Sequence, residues 1–308
     1  MTCSTLLLPG IDGANPLGFL AALGVLRTLF RAEDALRPRL AWQVHSGAWR
    51  PALTTEIALS RPELVARLDE ALRSMVDHEA WRFSDNLNVE AGDFRSHALA
   101  AAARASTADP TAAEFVAAFA CDAITEVDAK KGVVVCDTAF RTMSGAGHQH
   151  FLGFMRQLAA CTEQDHLERA LFEQWRYEDD KPSMRWDPID DRRYALRWNE
   201  PSSDPIRTVR GANRLAIEAL PLFPVMPRGT RLETTGFVTA GSRGTWFRWP
   251  IWSRPISMPV VQSLLASQRV RQASTNEAAL RRMGVEAVFK SQRLTVEKYR
   301  NFTMGVPA

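Results

Sequence analysis

The sequence predicts an α+β fold, with a mixed helical N-terminal half containing short strands and a basic C-terminal half carrying a small antiparallel sheet and helices. Three observations lead there. Apolar residues recur at intervals of three and four over long stretches of the first half, short β-branched or aromatic runs bounded by Gly and Pro recur in the second, and the charge divides unevenly between them. With 308 residues, 46% of them apolar, the chain is long enough to bury a large core. The expected organisation is an acidic, mainly helical part over residues 1–178 and a basic α+β part over 179–308, or one continuous domain.

Leu6 to Leu8 reads as a short strand running into the turn around Pro9-Gly10. Leu17 to Phe30 comes next as a helix, with Asn15 as its N-cap and Pro16 at its first position. Nearly every face of that helix is apolar, so it belongs at the centre, and Gly18 and Gly24 call for a neighbouring backbone at close range. Leu40 to Val44 and Trp49 to Leu53 pair across His45-Ser46-Gly47-Ala48. Helices are expected over Glu63 to Val76, His97 to Arg104 and Thr111 to Ala123, then a buried strand at Val133 to Cys136 and helices over Phe151 to Ala160 and Leu167 to Trp175. Tyr177 to Pro205, rich in Asp, Pro and Arg, reads as a long ordered loop or a domain connection. Beyond it come a helix at Asn213 to Ala219, strands at Leu232 to Val238 and Trp246 to Trp249, helices at Val260 to Val270 and Glu277 to Met283, and an extended stretch from Val285 to Tyr299.

The net charge of +3 conceals a division. Residues 1–180 carry 17 Lys and Arg against 25 Asp and Glu, whereas residues 181–308 carry 21 against 10. A basic half of this kind points to a polyanion. Arginine grips phosphate with a planar fork and aromatic faces stack on unpaired bases, so the mixture of Arg, Trp and Tyr after residue 184 fits single strands or a heteroduplex. The candidate nucleic-acid contacts are Arg185, Arg192, Arg193, Arg197, Arg207, Arg210, Arg214, Arg243, Arg248 and Arg254. Arg141 and Arg156 flank a second candidate, the Gly-x-Gly turn of Ser144, Gly145, Gly147 and His148, which opens into a helix and could present backbone N–H groups to an anion.

His148 and His150 share the spacing of some metal ligands, with His97 or Asp137 available to complete a set, but solvated or hydrogen-bonded histidines explain the pattern as simply, and no metal site is assigned. The four scattered cysteines lack zinc or disulfide spacing. No nucleophile elbow or zinc-protease motif is present, and no cofactor is expected. Without a charged n-region or a long apolar run at the start, the chain reads as cytoplasmic, with no membrane partner.

The phrase from Asn15 to Arg27, NPLGFLAALGVLR, resembles the opening helix of CRISPR-associated effector subunits of the type I-G systems, formerly type I-U, in the large-subunit group. The blocks Arg192 to Leu196, Leu220 to Pro224 and Trp249 to Trp252 look like further pieces of that group, although the chain is much shorter than a full large subunit. The resemblance implies a non-catalytic member of a Cascade-like, RNA-guided antiviral ribonucleoprotein complex. Such a protein touches guide RNA, target DNA or both beside other effector-complex subunits, while a separate helicase-nuclease cuts. Two other readings stay open: a metal-dependent nuclease or nucleotide-processing enzyme built on the Ser144–His150 loop, and a protein-binding scaffold.

Overall fold

The computed structural model describes residues 4–107, 109–143, 150–190, 207–239, 244–272, 278–296 and 299–308. After the edge strand β1 (Ser4–Leu7), the chain turns into the helix α1 (Pro16–Ala32). Asn15 caps it, its side-chain oxygen accepting from the backbone N–H groups of Leu17 at 2.8 Å and Gly18 at 3.4 Å. Every residue from Pro16 to Leu29 is buried, which makes α1 the axis of the core. Each large side chain so buried stabilises the fold by about 2 kcal/mol. Strands β2 (Arg39–His45) and β3 (Ala48–Thr55) form a hairpin whose turn residues Ser46 and Gly47 both have positive φ, 51° and 78°, as a tight two-residue turn requires.

Helix α2 (Arg61–Arg73) starts on a capping box between Ser60 and Glu63. Helices α3 (Ala91–Ala105) and α4 (Thr111–Phe119) come next, then the hairpin β4 (Ala120–Asp128) and β5 (Gly132–Asp137). Here the structure departs from the sequence expectation. The helix ends at Phe119 rather than Ala123, because Cys121 and Thr125 pair with Cys136 and Val135 across the hairpin, a partner that a local reading does not see. Nor is Val133 to Cys136 wholly buried: Val134 and Val135 are, but Val133 and Val127 at the hairpin tip are exposed. Helices α5 (Phe151–Cys161) and α6 (Gln164–Phe172) complete the first half.

Of the Tyr177–Pro205 stretch, 191–205 lie outside the described residues, and beyond it helix α7 (Arg210–Glu218) packs along α1. The contact is so close that a Cβ on Gly24 would lie 1.8 Å from the carbonyl oxygen of Leu215, and in the turn before α1 the Asp12 carbonyl oxygen lies 2.2 Å from where a Cβ on Gly18 would sit. Both glycines are therefore required by backbone approach. The strands β6 (Val225–Arg228), β7 (Arg231–Thr234), β8 (Phe237–Thr239), β9 (Thr245–Trp252) and β10 (Ile256–Ser257) succeed it. Three short helices come next, α8 (Met258–Leu265), α9 (Gln268–Gln272) and α10 (Ala278–Arg282), and the chain ends in β11 (Val285–Val296), β12 (Tyr299–Phe302) and β13 (Val306–Pro307).

Two antiparallel sheets organise most of these strands, one in the order β1-β3-β2-β10 and one in the order β12-β11-β9-β8 with β13 added on β11. The first sheet crosses the halfway point of the chain, since β10 pairs Ile256 with Leu40. Phe19 on α1 lies within 6.5 Å of the rings of Trp42, Phe247, Trp249 and Trp252, which ties helix and both sheets together. The indole N–H of Trp249 donates to the Gly13 carbonyl at 2.8 Å and that of Trp252 to the Leu40 carbonyl at 2.6 Å. Residues 1–178 and 179–308 thus share one hydrophobic core. Among the described residues, no helix is long and apolar enough to cross a membrane.

Candidate nucleic-acid interface

Among the described residues, the arginines named from the sequence do not meet in a single groove. Arg214, 1% exposed, lies in the core, where it pairs with Glu218 at 2.7 Å, donates to the Leu72 carbonyl at 3.2 Å and covers the Trp81 ring. Arg185, 4% exposed, donates to the side-chain oxygen of Asn301 at 3.4 Å. Both are withdrawn from the interface, because burial leaves no room for a polyanion at either guanidinium. Arg156 pairs with Asp85 and donates to the Trp81 carbonyl, on a different face. Arg207 pairs with Asp180 at 3.0 Å, and Arg210 approaches His166 while its backbone N–H is taken by Asp179. The acidic run from Glu178 to Asp180 therefore serves local ion pairing. Arg141 lies against Asp137, beside β12. Ser144, Gly145, Gly147, His148, Arg192, Arg193, Arg197 and Arg243 lie outside the described residues.

Arg248 on β9 and Arg254 just past its end remain, and around them the structure gathers arginines that the sequence reading passed over. Arg248 donates to the Arg271 carbonyl at 2.8 Å, which seats α9 on β9, and partial burial lowers its pKa. Arg271 in turn reaches Glu233 at 2.7 Å, where Arg228 also arrives at 3.3 Å. Burial pushes the Glu233 carboxyl upward, but those two guanidiniums outweigh it and hold the pKa below its ordinary value. Arg231 faces Arg228 across the β6–β7 hairpin, and Arg269 stands exposed on α9. Arg254 lies beside Gly284, directly after the exposed Arg281 and Arg282 of α10. Arg231, Arg254, Arg269 and Arg282 have no carboxylate partner among the described residues.

The signal for this surface was available in the sequence at finer resolution. From residue 219 onward there are 13 basic residues and 4 acidic ones, a steeper ratio than that of the whole second half. Alternation along β9 places Phe247 and Trp249 in the core and leaves Trp246 and Arg248 half-buried on the other face, with the Lys290 ammonium 5.7 Å from the Trp246 ring.

A cleft of about 510 Å³ lies elsewhere, between the end of α1, α2 and the start of α4. Most of its charged lining is already paired: Arg27 with Glu114 and Glu218, Arg31 with Asp109, Arg67 with Glu33. His97 packs its ring on Phe83, whereas Asp137 pairs with Arg141, and no three His, Cys, Asp or Glu side chains among the described residues are grouped to hold a metal ion. Compared with protein-family models and with curated proteins, the chain matches none.

Proposed function

We propose that this chain is a non-catalytic nucleic-acid-binding subunit of an RNA-guided antiviral ribonucleoprotein complex, and that the arginine surface of β9, α9, α10 and the β6–β7 hairpin lies along a polynucleotide backbone. One observation carries the reading: that surface offers Arg228, Arg231, Arg254, Arg269, Arg271 and Arg282, of which Arg228 and Arg271 pair with Glu233. Like charges at this density repel one another in the free protein, and a row of phosphates relieves the repulsion with release of counterions. The resemblance of the Asn15–Arg27 phrase to type I-G effector subunits supports the particular setting, with guide RNA or target DNA as the ligand and the acidic first half packed on neighbouring subunits.

Retention of labelled RNA and single-stranded DNA by the full chain, measured across a salt series, tests the proposal. Affinity should fall steeply with salt, and the R269E/R282E variant should flatten the log–log slope by roughly 2, one phosphate contact for each site. Equal slopes for variant and wild type would remove the surface from the interface. Co-purification after nuclease treatment separates this reading from a protein scaffold, whose partner survives the digestion.

A further inference from the structure

Apart from the outer surface, three arginines crowd a single, largely buried carboxylate. Asp137, at the end of β5, has its Oδ2 2.7 Å from Nε of Arg141, and Arg293 of β11 and Arg300 of β12 act on the same group. In the β11–β12 register Arg293 faces Phe302 and Thr295 faces Arg300, which sets both arginines on one side of the ribbon. Backbone carbonyls position the three: Arg141 donates to Asn86 at 2.8 Å, Arg293 to Ala139 at 2.8 Å and Arg300 to Arg141 at 3.2 Å. Nε of Arg293 is buried with no hydrogen-bond partner. Glu126, the other carboxylate acting on the cluster, is exposed on β4.

Such an arrangement repels itself. Burial, then Arg300 and Arg141, outweigh the Asp137 charge and bring the Arg293 pKa down to about 10. Burial and Arg141 likewise lower that of Arg300. A compact oxyanion with several acceptor oxygens would supply both the missing charge and the missing acceptors.

We propose that Arg141, Arg293 and Arg300 form a phosphoryl-binding site that holds one phosphate group between β5 and the β11–β12 ribbon. As a site for a phosphodiester of a bound strand it rests on the function proposed above, whereas as a site for inorganic phosphate it does not.

Thermal unfolding of the full chain in inorganic phosphate, in a short single-stranded oligonucleotide, and in chloride at matched ionic strength tests the site. Phosphoryl ligand should raise Tm beyond chloride. R300Q should weaken the fitted affinity by about tenfold, and D137N, which removes the competing carboxylate, should strengthen it. R300K keeps the charge without the fork and should fall between wild type and R300Q, which keeps the test open should R300Q fold poorly. The R269E/R282E variant should retain the phosphate response even where it loses the oligonucleotide, so the two sites fail separately. Stabilisation by the oligonucleotide alone, sensitive to R300Q, assigns the group to the polymer, and stabilisation by phosphate assigns it to the free anion. If neither exceeds chloride, or if R300Q and D137N shift affinity in the same direction, the site does not exist.

Discussion

Arg214 on α7 and Arg282 on α10 are the same residue type in one basic half, and their circumstances are opposite. Arg214 is buried with Glu218, which also binds Arg27 at 3.1 Å, so two guanidiniums share one carboxylate in the core, and Arg27 reaches Glu114 besides. Arg282 is exposed and has no carboxylate partner among the described residues. The contrast teaches that an arginine count measures two unlike things. Buried arginines cement the α1–α7 contact and have no charge left to offer, while exposed, unneutralised ones are available to a ligand and add little to stability.

The sharpest test of that contrast removes Glu218. E218A leaves Arg27 and Arg214 buried without their shared counter-ion, and chemical denaturation should register a loss of about 4 kcal/mol. Next comes a buried carboxyl with no counter-ion among the described residues. Asp187 accepts from Asn15, Tyr177 and the backbone N–H of Ile189, and burial raises its pKa to about 6. A carboxyl that holds its proton more tightly when folded favours the native state at low pH, and that advantage disappears as the pH climbs from about 4 to 6, a change of about 3 kcal/mol. Denaturation at a series of pH values should show the decline in wild type and a flat profile over that window in D187N. R271A, which cuts a half-buried pair with Glu233, should lower stability by about 1 kcal/mol. R282A should stay within about 0.5 kcal/mol of wild type. A large loss in R282A, or none in E218A, would break the comparison.

Where sequence and structure agree, the determinants are local. Asn15 and Pro16 start α1, and Ser46-Gly47 turns β2 into β3, each by chemistry contained within a few residues. Long-range partners account for the departures. α4 stops short because β5 recruits Cys121 and Thr125 into a hairpin, and the apolar stretch after Ser257 divides into α8 and α9 as α9 is drawn onto β9. The β6 strand escaped notice because Pro227 and Gly229 read as loop, though they frame a hairpin turn against β7. Arginine fates were the least legible of all: Arg27 pairs with Glu114 and Glu218, 87 and 191 positions away, and nothing nearby in the sequence announces either.

The placement of β10 in the first sheet has a consequence for synthesis. Strand β2 cannot acquire its outer neighbour until Ile256 and Ser257 leave the ribosome, and the tryptophans that cap Phe19 arrive only slightly earlier. At ordinary translation speeds about 200 residues separate the two events, a wait on the order of 10 s during which an apolar helix and an open sheet edge stand uncovered. Nascent chains of this protein should therefore lean on chaperones until almost the last fifty residues have been added.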